Sequence, residues 1–286
     1  MPNPNAILMV TDGTAADGGL LAKALRIARQ RGATLELFAC DAEHAYELKH
    51  AYEASGVEPA RQASLRQSRA YLMGLKSALQ EAQVPIATDV ACESPLYESI
   101  VHKIRSARPQ LVLKSAGGVE RPERRTFDAN DWQLMRNAPA TLLLSRGRTW
   151  HAVPRFVAAL DVSEGETAGL ARGILETAAA LAATCGGALE LAYAEGTPAA
   201  AGTRAQRQAT LGQLAARAQL APASVHFLPG EPQAALQQLI RERNYDVIVI
   251  GALTHRASTL PLVGTLTASL VDALDSDFVL VRRTTT

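Results

Sequence analysis

Apolar positions in this chain fall into short continuous runs, separated by longer stretches with helical spacing, and the arrangement occurs twice. The first run ends in an acid and a small turn, Ile7-Leu8-Met9-Val10-Thr11-Asp12-Gly13-Thr14, and returns as Phe156-Val157-Ala158-Ala159-Leu160-Asp161-Val162-Ser163. A second run follows each, over 34–40 and 188–194; a third lies at 111–114 and 247–250; a closing one lies at 141–144 and 278–281. Continuous rather than alternating apolar runs predict strands buried on both faces, as in a parallel sheet covered by helices. Leu20, Leu21, Ala24, Leu25 and Ala28 recur on one helical face, and Arg29-Gln30-Arg31-Gly32 supplies the cations and glycine that suit a helix C-terminus. Residues 168–183 repeat this and end at Cys185-Gly186-Gly187. Strand, helix and neighbouring strand make a right-handed βαβ unit.

Polar helical stretches follow the second strand in each half, a long one over 42–83 and a shorter one over 199–220. Further strands are predicted at 84–90 and 223–228, then helices at 95–106 and 232–243. Both halves therefore read β-α-β-α-β-α-β-α-β. Self-similarity at half the chain length predicts two copies of one domain. The expected fold is two tandem Rossmann-like α/β domains, residues 1–148 and 154–286, each with a five-stranded parallel sheet, joined by a turn-rich linker at 147–154.

Bulk properties narrow the function classes. The 286 residues suffice for two ordinary cores. A net charge of +1, from 29 basic and 28 acidic side chains, gives no reason to expect nucleic acid or an anionic membrane as partner. No apolar run approaches a membrane span of about 20 residues, and no signal peptide is visible. Cys40, Cys92 and Cys185 are scattered and odd in number, which fits core thiols of a cytoplasmic protein better than a disulfide framework.

The first strand with its terminal Asp, the glycine region after the fourth strand and the closing strand together resemble the universal stress proteins in their tandem, two-domain form. The first half resembles the E-type branch in particular, through Gln110-Leu111-Val112-Leu113-Lys114, Arg125-Thr126-Phe127 and Asp131-Trp132-Gln133-Leu134-Met135-Arg136-Asn137-Ala138-Pro139. The resemblance implies a stress-response binding module, with domains packed as a pseudo-dimer about a pseudo-two-fold axis, closing strands near the domain interface, and room for a homodimer. It further implies a small-molecule partner. ATP-binding relatives carry G-x2-G-x9-G-[S/T]; here the second half has Gly251, Gly264 and Thr265 at that spacing, with Thr254 in place of the middle glycine.

What the motif implies is an adenine nucleotide (ATP, ADP or AMP) in the second domain. Glycines bring backbone close to phosphate oxygens, and the free N–H groups of the following helix face the anion. Thr265 and Thr267 would add hydroxyls, Arg256 would pair with phosphate or stand in water as a loop cation, Asp161 would contact the adenine-ribose side, and Tyr193 the base through its backbone. Thr254, β-branched, disfavours positive φ and adds bulk where phosphate would lie. The plain alternative is a helix start capped by Thr265 with no ligand.

In the first half Ser115 stands near the position of Gly251, and Phe127-Asp128 near Gly264-Thr265. A carboxylate at a helix N-terminus satisfies the dipole itself and repels phosphate, so no nucleotide is expected there. Asp12 reads as a turn-capping residue, and Arg121, Arg124 and Arg125 as a solvated cluster or an anion-steering one. Glu43, His44, Glu47 and His50 have metal-compatible spacing but fit an exposed polar helix face better. Cys92 lacks a local His partner for nucleophilic work, and Trp132 reads as core packing. Neither a Ser-His-Asp arrangement nor a Walker lysine motif is present. The chain is therefore expected to bind rather than catalyse, with no metal; a ligand-free scaffold and a slow nucleotide hydrolase are the alternatives.

Overall fold

The computed structural model describes residues 3–11, 13, 16–50, 56–116, 127–163, 168–196, 201–221, 224–252 and 264–282. Contacts divide the chain into two units, Met1–Gly147 and Arg148–Thr286. In the first, the apolar runs form β1 (Asn3–Thr11), β2 (Thr34–Cys40), β3 (Ile86–Ala91), β4 (Pro109–Ser115) and β5 (Thr141–Ser145). They hydrogen-bond in the order β3-β2-β1-β4-β5, every pairing parallel. Ile7, Leu8 and Met9 are successive residues with no exposed surface. Successive side chains point to opposite faces, so total burial of three in a row requires cover on both sides. That cover includes α1 (Ala16–Arg31) and α4 (Leu96–Ala107), with α5 (Ala129–Asn137) following β4.

The second unit repeats the plan with β6 (Arg155–Ala159), β7 (Ala188–Ala194), β8 (Val225–Leu228), β9 (Val247–Gly251) and β10 (Asp277–Val281), in the order β8-β7-β6-β9-β10. Its helices are α6 (Ala168–Thr184), α7 (Ala201–Arg217), α8 (Pro232–Arg243) and α9 (Thr265–Ala273). Val247, Ile248 and Val249 are fully buried, again the mark of a strand covered on both faces. In each unit the order reverses beside the first strand, between β1 and β4 and between β6 and β9. Such a switch point splays the chain at the carboxyl ends of the strands and opens a crevice there.

Three details depart from the sequence reading. Residues 42–83 are not one helical stretch but α2 (Ala42–Lys49), α3 (Val57–Ala78) and a 3-10 turn (Gln80–Ala82). On α1 the buried face is Leu20, Lys23, Ala24, Ile27 and Ala28, while Leu21 and Leu25 are half-buried; Lys23 is admitted because its ammonium donates to Ser145 Oγ at 2.8 Å. Trp132 is half-buried and meets Phe127 edge-on at 6.3 Å.

The segment read as a linker is docked on the second unit. Trp150 Nε1 donates to Asp277 at 2.8 Å, the His151 backbone donates to Asp246 at 3.1 Å, and Arg148 donates to Asn244 at 3.0 Å. Gly187 lets this segment close on β7: a Cβ there would lie 2.5 Å from the Pro154 carbonyl oxygen.

Candidate functional site

A crevice at the switch point of the second unit encloses about 720 Å³. Its floor is the end of β6 (Ala159, then Leu160 and Asp161) and the end of β9 (Ile250, Gly251); its walls are Tyr193 near the end of β7, Glu195 just after it, Leu170 and Ile174 of α6, and the first turn of α9. The mixture of apolar walls with a few convergent polar groups is that of a small-molecule site.

The start of α9 carries the first notable feature. Gly264 is its N-cap residue, with φ −58° and ψ 140°, and among the described residues no side chain caps it. The backbone N–H groups of this first turn thus lack the usual side-chain acceptor, and Gly264, Thr265, Leu266 and Thr267 all border the crevice. Thr265 is therefore not the cap that the ligand-free reading required: it is the first helical residue, and it is exposed. Thr267 departs from the expectation that it would donate to phosphate. It is buried, and its hydroxyl donates to the Gly251 carbonyl at 2.9 Å, tying the helix to the strand end. Gly251 also acts differently from expectation. A Cβ there would meet Leu170 Cδ2 at 2.9 Å, so the missing side chain lets α6 approach β9.

The corresponding helix of the first unit is closed. Asp128 caps α5 by accepting from the Asp131 N–H at 2.7 Å, and Asp131 returns the contact by accepting from the Asp128 N–H at 3.2 Å. This reciprocal box satisfies the Asp131 and Asp128 N–H groups, a capping that the start of α9 lacks. Asp131 is fully buried and pairs with Lys114 at 2.8 Å. Phe127, also buried, lies under the Arg146 guanidinium at 4.3 Å. The first unit has its own crevice of about 890 Å³, bordered by Thr11, Lys114, Ser115 and Asp128, with Tyr46 of α2 and Tyr71 of α3 on its outer wall. The longer helical insertion therefore walls this cavity.

A second contrast concerns the acid directly after the second strand. Asp41 follows β2 and Glu195 follows β7; each sends its backbone N–H to the neighbouring strand's end, Asp41 to the Ala91 carbonyl at 3.0 Å and Glu195 to the Leu228 carbonyl at 2.9 Å. Asp41 is then consumed internally: it caps α2 by accepting from the His44 N–H at 3.0 Å and accepts from Ser64 Oγ at 2.6 Å. Glu195 is followed instead by Gly196, which bridges to Gly230. The Glu195 side chain is 4% exposed, its Oε2 lies 3.7 Å from Arg204 Nε, and among the described residues its Oε1 finds no hydrogen-bond partner.

Of the residues singled out in sequence, Asp161, Tyr193, Gly251, Gly264, Thr265 and Thr267 border this one crevice. Asp161 is exposed and its Oδ1 accepts from the Ser163 N–H at 2.9 Å, an Asx turn that holds it at the rim. Tyr193 is buried against Phe227, ring centres 5.2 Å apart. Burial pushes the Tyr193 hydroxyl pKa up; the neighbouring Asp161 and Glu195 carboxylates add to this and Arg207 opposes it. Thr254, Arg256, Asp12 and the arginines at 121, 124 and 125 lie outside the described residues. Glu195 was not singled out in sequence, although an acid directly after the second strand in both halves was the available signal. Elsewhere, His44 Nδ1 lies 3.5 Å from Glu47 and His50 packs on Tyr46, on an exposed helix.

Two doubly wound units with switch-point crevices, one with an uncapped helix start and one with a capped one, define a tandem α/β architecture. Residues 4–146 match the model of the universal stress protein family, and the chain belongs to that family. Universal stress protein E of Photorhabdus laumondii is 21% identical over 301 residues, covering 99% of this chain and 96% of that protein. Its namesake from Salmonella typhi is 20% identical, covering 96% and 93%. Among solved structures, a functionally unknown protein from Pseudomonas aeruginosa PAO1 superposes with a TM-score of 0.78 at 22% identity, covering 98% of this chain and 93% of that one. A universal stress protein from Archaeoglobus fulgidus gives 0.73 at 13% identity, covering 98% and 99%. This is therefore a tandem stress-response protein similar to the E type. Among the described residues, no helix is long and apolar enough to cross a membrane.

Proposed function

We propose that this chain is a nucleotide-binding stress-response protein in which the second unit holds one adenine nucleotide and the first unit holds none. The observation that carries this reading is the uncapped N-terminus of α9, which opens onto a crevice of about 720 Å³ at the strand switch point. Free backbone donors and the positive end of a helix dipole favour an anion such as phosphate. Asp161 at the rim and the apolar walls suit the nucleoside end. The start of α5 in the first unit suits an anion less, because Asp128 and Asp131 cap it and add negative charge there.

The role proposed is binding and signalling in the cytoplasm rather than turnover. Phosphoryl transfer needs a positioned nucleophile and a means of neutralising developing charge, and the crevice residues named above include no group with a partner set suited to that work. The test is direct. Protein purified from cells is denatured in acid and the supernatant examined by ultraviolet absorbance and mass spectrometry. Adenine nucleotide at close to one equivalent supports the reading. Empty protein that also takes up no ATP, ADP or AMP in titration calorimetry leaves the scaffold role instead. Steady phosphate release from bound ATP identifies a hydrolase.

A further inference from the structure

Among the described residues, the crevice of the second unit contains a buried acceptor that nothing in the protein uses. Glu195 is fixed on both sides of its backbone: its own N–H donates to Leu228, and the next residue, Gly196, donates to the Gly230 carbonyl at 3.1 Å. Glu195 borders the crevice, and its side chain is 4% exposed, with Oε1 unpartnered among the described residues. Leaving a buried carboxylate oxygen without a donor is costly, and such a cost persists where a ligand supplies the donor. At the twin position in the first unit the acid is engaged within the protein: Asp41 caps a helix and accepts from Ser64.

A carboxylate can only accept hydrogen bonds, so its complement must be a donor. In dinucleotide-binding doubly wound folds an acid beyond the first βα turn receives ribose hydroxyls, while phosphate sits at the N-terminus of the helix after the first strand. Here the acid follows the second strand, and the open helix end that borders the same crevice belongs to the helix after the unit's fourth strand. We infer that Glu195 is a specificity-determining residue that accepts from the ribose hydroxyls of the bound nucleotide, so that the site selects ribonucleotides over deoxyribonucleotides. The inference rests on the nucleotide reading above and adds the sugar to it. It assigns the two ends of the ligand to chemically opposite partners, backbone donors for phosphate and a lone acceptor for sugar.

The experiment is titration calorimetry of the full chain with ADP, 2′-deoxy-ADP and 3′-deoxy-ADP, repeated on Glu195→Gln, with thermal unfolding of both ligand-free proteins. The wild type is expected to bind ADP at least about tenfold more tightly than one of the deoxy analogues, the size of a lost hydrogen bond to a charged group. In Glu195→Gln that preference should collapse to about twofold or less, mainly through weaker ADP binding. The ligand-free variant should melt no lower than wild type, because the carboxylate makes only a 3.7 Å contact with Arg204. Equal binding of ADP and both deoxy analogues by the wild type overturns the assignment while leaving the nucleotide reading intact. So does a sugar preference that survives in Glu195→Gln, or a variant that melts well below wild type. A wild type that binds no nucleotide at all removes both.

Discussion

Glu190, on β7, shows how single side chains are held here. Its Oε2 accepts from the Tyr245 hydroxyl at 2.6 Å and lies 2.5 Å from His226 Nε2, while Arg155 stands 3.6 Å from Oε1. Burial alone would push the carboxyl pKa up; the hydrogen bonds from Tyr245 and His226 outweigh it and hold the pKa below its usual value. Conversely, burial and then the Glu190 contact push the Tyr245 hydroxyl pKa well up, so tyrosine remains the donor. A carboxyl depressed in the folded state contributes stability that is present above its unfolded pKa and is lost as pH falls through the folded one. Glu190→Gln is therefore expected to cost about 1–2 kcal/mol at neutral pH, the range for disturbing a charged hydrogen-bond acceptor. The deficit should shrink as pH drops below the carboxylate range. Urea unfolding of both proteins at pH 7 and at pH 3.5 measures this, and a deficit equal at both values would show that packing, not charge, is at stake.

At the scale of elements, the two units differ most at one helix start. The box of Asp128 and Asp131 closes α5, and Gly264 leaves α9 open. Gly264→Asp should import the first unit's solution: helix stability holds or rises by up to about 1 kcal/mol from capping, while nucleotide affinity falls by at least about tenfold through the added charge and the occupied N–H groups. Asp128→Ala should destabilise the first unit by about 1 kcal/mol, and it should gain no phosphate affinity because Asp131 stays within the first turn. Calorimetry and urea midpoints on both variants test the pair; an unchanged affinity in Gly264→Asp would mean that phosphate, if bound, sits elsewhere. Much of this was legible in sequence. Continuous apolar runs announced the buried strands, and Phe127-Asp128 against Gly264-Thr265 announced the closed and open helices. The division of 42–83 into two helices was not legible: the cap of α2, Asp41, is tied to α3 by accepting from Ser64, a contact across 23 positions that local periodicity cannot register. The commitment of Thr267 to the Gly251 carbonyl was hidden for the same reason: a threonine in a first helical turn reads as a ligand donor until the strand end that claims it is placed.

Across the whole molecule, duplication has left two copies of one crevice that differ in how the helix start and the acid after the second strand are engaged. In the first unit the Asp128 and Asp131 N–H groups, the acid after the second strand and Lys114 have protein partners, while Ser115 Oγ finds none among the described residues. In the second, α9 is uncapped and Glu195 keeps an oxygen unmatched among the described residues. An unsatisfied buried group lowers stability until a ligand completes it, so the second unit is the one expected to gain from nucleotide. Ligand at 100 times its dissociation constant adds about 2.7 kcal/mol to whatever it binds. Hydrogen exchange followed by mass spectrometry, with and without saturating ADP, should therefore show slower exchange in peptides from β7, β9 and the start of α9. Peptides from β1, β4 and α5 should be unchanged, and calorimetry should count one site per chain. Protection appearing equally in α5 and α9, or two sites per chain, would mean that the carboxylates of Asp128 and Asp131 do not exclude the anion. The division of labour between the units would then have to come from something other than the capping of their helices.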